Sequence, residues 1–241
     1  MLANWVNTHD ALCSAFGAVK HVCFAPDGAV SGEVHTTAYE VSSRFSNLPD
    51  TFPKILEQHK AVRADSLAYR EKEYGIWQLW TWGQTKEMVD RLAAGLKARG
   101  FERGDKLIIV GTNRPKLYMA ISAAQSLGGI PIPVYQDSVA SELAYVIEHS
   151  EAKYAIAEDQ EQVDKILAIK RPKNDQITMF YEDSRGLKEL NDPHIIDMIQ
   201  LMNEGQVIAN KTPDKYNHMI NKISDKQDAI LCTTSGTTSN P

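Results

Sequence analysis

The chain has 241 residues, 43% of them hydrophobic and 24% charged, with a formal net charge of -5 and a pI near 5.8. That length can bury one large core or two small ones, and the acidic balance argues against a protein that grips nucleic acid by neutralising phosphates. Cys13, Cys23 and Cys232 lack the spacing of a zinc site or a disulfide framework, so they read as reduced packing residues in a cytoplasmic protein, and the seven histidines show no HxxxH or HExxH spacing.

Residues 1–48 show no sustained periodicity and are expected to form an extension outside the main fold. Within them "ALCSAFGAVKHVCFA", Ala11 to Ala25, resembles a secretory segment, but no Lys or Arg precedes it and Lys20 and His21 interrupt it. It is also shorter and more polar than the roughly 20 apolar residues that span a bilayer. Neither export nor an integral membrane segment is expected.

"NLPDTFPKILEQHK" fits an amphipathic helix with Phe52, Ile55 and Leu56 inward, and "SLAYREKEYGIWQLWTW" reads as two strands around a Lys72–Gly75 turn. Trp77, Trp80 and Trp82 are compatible with a membrane-seeking belt, yet a strand with aromatics on both sides more often packs between layers or leads into a helix. Met88, Val89, Leu92, Ala93 and Leu96 then share one helical face, with Gly100 placed to end the helix. A strand "KLIIVG" follows, then a helix from Pro115 stopped by Gly128 and Gly129, and a strand "IPIPV". "SVASELAYVIEHS" is helical and "KYAIAED" a strand, after which Asp159 and Gln162 suggest a capping box for "EQVDKILAIK". "QITMFYED" is a strand, "PHIIDMIQLMNEG" a helix, Lys211 to Lys226 a surface excursion, and "DAILCT" a final strand.

Strands alternating with helices specify an α/β fold with a mainly parallel sheet, here preceded by a β-hairpin. Open parallel sheets bind ligands beyond the carboxyl ends of their strands, and "TTSGTTSNP" follows the last strand. A Ser/Thr/Gly tract on its own is equally a flexible linker. GxxxxGK[ST], GxGxxG and GxSxG are all absent, so what remains is a loop of backbone N–H groups and hydroxyls suited to a polyanion.

"TTSGTTSNP" resembles the phosphate loop of the adenylate-forming, AMP-binding superfamily, whose usual form is T-S-G-T-T-G-x-P-K. From about Phe52 to Pro241, "REKEYGIWQLWTW", "NRPKLYMAISAAQSLGGIPIPVY" and "EHSEAKYAIAED" follow one another as in its long-chain fatty acid–CoA ligase branch. The resemblance implies that residues 49–241 form an incomplete N-terminal AMP-binding domain without the small C-terminal domain. It implies that Thr234, Ser235, Gly236, Thr237, Thr238 and Ser239 line the site for ATP phosphates, with Thr237 at Mg2+. The implied reaction joins a fatty acid to CoA through an acyl-adenylate, with ATP cleaved to AMP and pyrophosphate. Fatty acid, ATP and CoA are then its partners, and peripheral membrane association is compatible with that reading.

The carboxylate must attack the α-phosphorus anion on anion, so donors and a metal must offset the repulsion. Ser239 departs from the family's Gly, a change costing about 1–2 kcal/mol if the position is left-handed. The family's loop lysine, later motifs and catalytic lysine fall beyond Pro241, so the 241-residue chain is expected to be a fragment inactive on its own. A non-catalytic α/β binding protein, or an adenylation enzyme for another carboxylic acid, stays open on these residues. Oligomeric state is not legible.

Overall fold

The computed structural model describes residues 49–172, 176–190, 192–211 and 219–233. Helix α1 (Phe52–Arg63) leads into strands β1 (Leu67–Glu73) and β2 (Ile76–Thr81), which pair antiparallel. Tyr74 and Gly75 join them at φ 47° and 82°, the two-residue turn whose twist matches a hairpin. Pro53 and Leu56 face the core, but Phe52, at the first helical position and before a full turn has formed, stays exposed.

Helix α2 (Trp82–Ala98) opens on a complete capping box: Thr81 Oγ1 accepts from Gln84 N, and Gln84 Oε1 accepts from Thr81 N. Beyond it run β3 (Lys106–Gly111), α3 (Pro115–Ser126), β4 (Ile130–Tyr135), α4 (Ala140–Ser150), β5 (Tyr154–Ala157), α5 (Gln160–Leu167), β6 (Thr178–Tyr181), β7 (Ile195–Asp197) and α6 (Met198–Lys211). The five later strands form one parallel sheet in the order β4-β3-β5-β6-β7.

Strand residues alternate between two cores, as the pleat requires. Leu107, Ile109, Ile156, Phe180 and Ile196 face α1, α2, α3 and α6. Ile108, Val110, Ile132, Val134 and Met179 face α4 and α5. Val89, Leu92 and Leu96 of α2 are fully buried, each contributing about 1.5–3 kcal/mol by leaving water. Buried Lys86 ties α2 to α1, its Nζ lying 2.5 Å from Glu57 and 2.6 Å from Asp90.

Several expectations are corrected. "PHIIDMIQLMNEG" is not one helix: Ile195 and Ile196 point to opposite cores as β7, paired with β6, and α6 starts at Met198. Asp159 caps α5 by accepting from Gln162 N at 3.2 Å, but Gln162 turns its side chain to Lys165, leaving half a box. The excursion after Lys211 is not all surface, since Ile220 and Ile223 are buried; residues 212–218 lie outside the described set. Cys232 is exposed rather than packed, while Cys13 and Cys23 lie outside the described residues.

The three tryptophans separate. Trp80 packs on the core and Trp82 starts α2, but Trp77 is 54% exposed. Alternate β2 residues face opposite ways, so only one of the first two can look inward.

The expected last strand is also absent: 228–233 carries no ladder. It runs beside β4, joined by one backbone bond from Leu231 N to Pro131 O at 3.0 Å. Ile130 N donates inward to Asp105 O, which puts residues 131 and 133 on the outer edge. Both are proline, so β4 offers its neighbour carbonyls but no N–H there.

Candidate functional site

The strand order turns back at β3. Helices α3 and α4 leave on opposite faces, which opens a crevice beyond the carboxyl ends of β3 and β5, the usual ligand position in such sheets. Here the crevice is filled with charge. Gly111 ends β3 at φ 155°, and a Cβ there would lie 2.6 Å from Glu158 Cβ, so a side chain would push the strand end off Glu158. Glu158, one residue past β5, accepts from Thr112 N.

Arg114, at the entry to α3, gathers the rest. Its Nε lies 3.1 Å from Glu71 and 3.3 Å from Glu182, and its terminal nitrogens lie 3.5 Å from Glu73 and Glu158. Lys116 Nζ is 3.0 Å from Glu182 Oε1. Arg114 Nε and Glu182 Oε2 nevertheless make no aligned hydrogen bond, so proximity rather than directed bonding holds that contact.

Burial pushes the Glu182 carboxyl above its usual range against the pull of Lys116 and Arg114. Burial opposes the charge on Arg114 too, but Glu182, Glu71 and Glu158 outweigh it and raise the guanidinium further. Four carboxylates face two cations in these pairs, an excess of two negative charges. A polyphosphate set there would be repelled, so the cluster ties the hairpin to the ends of β3, β5 and β6 rather than cradling an anion.

The other candidate lies at the outer edge of β4. Gln125 Nε2 donates to Ala229 O at 2.7 Å near the start of β4, and Leu231 N meets Pro131 one step along. The segment therefore advances in the same sense as β4, toward the sheet's carboxyl edge. Thr234, Ser235, Gly236, Thr237, Thr238 and Ser239, the predicted phosphate and metal residues, lie outside the described residues.

Among the described residues no group of three or more His, Cys, Asp or Glu side chains is arranged to hold a metal. The crevice carboxylates are engaged by Arg114 and Lys116, so the described residues do not fit Mg2+. A cleft of about 290 Å³ is lined by Ile166, Lys170, Asp192 and His194 and opens at the amino ends of β6 and β7, away from both candidates. None of the described helices is long and apolar enough to cross a membrane. The Arg114 cluster was not anticipated from the sequence. Its signal was the matching Glu-Asp pair that ends both "YAIAED" and "MFYED".

Comparison with known proteins supplies what the geometry leaves open. The family model for AMP-binding enzymes matches residues 56–241. The chain is 24% identical to long-chain-fatty-acid–CoA ligase ACSBG1 of Rattus norvegicus over 209 residues, 86% of this chain and 26% of that protein. It is 27% identical to the ACSBG2 ligase of Xenopus laevis over 198 residues, 80% of this chain and 25% of that protein. It thus spans about a quarter of the length of these relatives.

Among solved structures, VinN in complex with 3-methylaspartate superposes with a TM-score of 0.57 at 17% identity, over 79% of this chain and 45% of that one. The N-terminal domain of FACL13 from Mycobacterium tuberculosis gives 0.50 at 20% identity, over 64% and 35%. These likenesses show a shared fold, and with the family match over most of its length the chain belongs to the AMP-binding enzymes.

Proposed function

We propose that this chain is the N-terminal part of a long-chain fatty acid–CoA ligase that activates its acid through an acyl-adenylate. Residues 49–241 form part of the AMP-binding domain, and residues 1–48 are an extension to it. Thr234, Ser235, Gly236, Thr237, Thr238 and Ser239 contact the ATP phosphates, with Thr237 at the bound magnesium. The observation that carries the site is the path of residues 229–233, which runs beside β4 toward the sheet's carboxyl edge and clear of the anionic crevice. The substrate reading is supported by the similarity to the long-chain-fatty-acid–CoA ligases ACSBG1 and ACSBG2.

In this reading the loop's amides and hydroxyls hold the phosphates while an incoming carboxylate attacks, and they stabilise the charge that gathers on departing pyrophosphate. Magnesium, when bound, would supply further charge neutralisation. The CoA thiol then loses its proton and takes the acyl group, forming the C–S bond as the C–O bond to AMP breaks and AMP leaves.

The test is ATP–pyrophosphate exchange by the complete enzyme carrying this sequence, across a series of carboxylic acids. Exchange stimulated by long-chain fatty acids supports the proposal. Exchange stimulated solely by amino or aryl acids overturns the substrate, and no exchange with any acid overturns the activity.

A further inference from the structure

The outer face of the hairpin has a composition that the adenylation reading does not use. In β1, Arg70, Glu71, Lys72 and Glu73 alternate in charge, and the pleat sorts them. Glu71 and Glu73 turn inward to Arg114, while Arg70 and Lys72 lie opposite Leu79 and Trp77 of β2 and share their face. The Arg70 guanidinium lies 5.2 Å from the Trp77 ring centroid and the Lys72 ammonium 6.0 Å from it. Neither cation forms an ion pair among the described residues. Trp77 and Leu79 are 54% and 58% exposed.

We propose that this face docks on an anionic lipid bilayer, with Trp77 and Leu79 at the headgroup boundary and Arg70 and Lys72 on lipid phosphates. An indole with a polar N–H and an apolar body sits best at that depth, and long basic side chains reach past an aromatic to the charged layer. Charge complementarity selects the occupant. The whole chain carries -5 and is repelled by an anionic surface, yet here the acids are turned away and two unpaired cations face out. A stable protein interface buries roughly 800 Å² per partner, whereas a few apolar side chains plus basic charge suit reversible bilayer binding.

This inference does not depend on the acyl-substrate reading, and its test uses no nucleotide. The chain is sedimented with phosphatidylcholine vesicles and with vesicles containing about one-third phosphatidylserine, whose negative surface attracts basic side chains. Binding to the anionic vesicles should exceed binding to the neutral ones. Arg70→Gln with Lys72→Gln should weaken it roughly 30-fold, and Trp77→Ser with Leu79→Ser should weaken it while far-UV circular dichroism is unchanged. Ile199→Ser with Val207→Ser, on the exposed side of α6, should leave it as it was. Binding indifferent to the hairpin substitutions, or no binding by the folded chain, overturns the proposal. So does a concentration-dependent dimer that the same substitutions abolish without any vesicle binding, which gives the face to a second copy.

Discussion

Gly205 of α6 lies directly on α2: a Cβ built there would fall 1.9 Å from Arg91 O and 2.8 Å from Gly95 N. Gly95 in turn leaves room for Leu201, whose carbonyl would be 2.3 Å from a Cβ at Gly95. The two helices approach backbone to backbone, which lets α6 cover a core that β7 has just entered. Gly205→Ala gains helix propensity of about 1 kcal/mol, but overpacking at rigid backbone costs about 1–3 kcal/mol or more. A net loss of stability is expected in urea unfolding; an unchanged or raised midpoint would show that the helices can separate freely.

Arg114 and Glu182 are coupled more tightly than surface charges, since the Glu182 side chain is only 3% exposed. Arg114→Ala leaves Glu182, Glu158 and Glu71 facing one another and should cost about 3–5 kcal/mol, the range for breaking a buried pair. Glu182→Gln added to it should recover part of that loss. A double-mutant cycle with additive effects would show that the cluster is not a unit.

Arg99 and Glu204 clamp α2 to α6, with Arg99 Nε 2.9 Å from Glu204 Oε2. That hydrogen bond holds the Glu204 carboxyl below its ordinary value. The folded value being the lower one, the bond contributes fully above the unfolded pKa and is lost as pH falls through the folded pKa. Glu204→Gln should therefore flatten the melting temperature's dependence on pH on the acid side of the ordinary glutamate range, with little change in its slope near neutrality. An equally steep acid limb in the variant would remove Glu204 from the linkage.

Much of the sheet was legible because β3 through β6 each carry a compact apolar run between turn signals, and Val89, Leu92, Ala93 and Leu96 mark one face of α2 without ambiguity. Strand β7 was not, because Ile195 and Ile196 merge into the helical pattern of Met198, Leu201 and Met202, and three paired residues leave too short a signal. The ladder expected at 228–233 depended on the outer edge of β4, where Pro131 and Pro133 withdraw donors in a way local propensity does not reveal. The Arg114 cluster was hidden for another reason. Its members come from β1, the α3 entry and two strand ends, and only the crossover topology brings them together.

Thr237→Ala in the complete enzyme should slow adenylation by roughly 100–1,000-fold, the range for losing one oxyanion-type donor. Pyrophosphate exchange measures it. A rate equal to the unsubstituted enzyme would take Thr237 out of the site.

Amide hydrogen exchange of the 241-residue chain, with and without MgATP, tests most directly that phosphates bind beyond the β4 edge and not at the crevice. Slower exchange at Ser235 to Thr238 with MgATP, and no change at Thr112 or Asn113, is the predicted result. Protection at Gly111 to Arg114 instead, or none from Thr234 to Ser239, would contradict it.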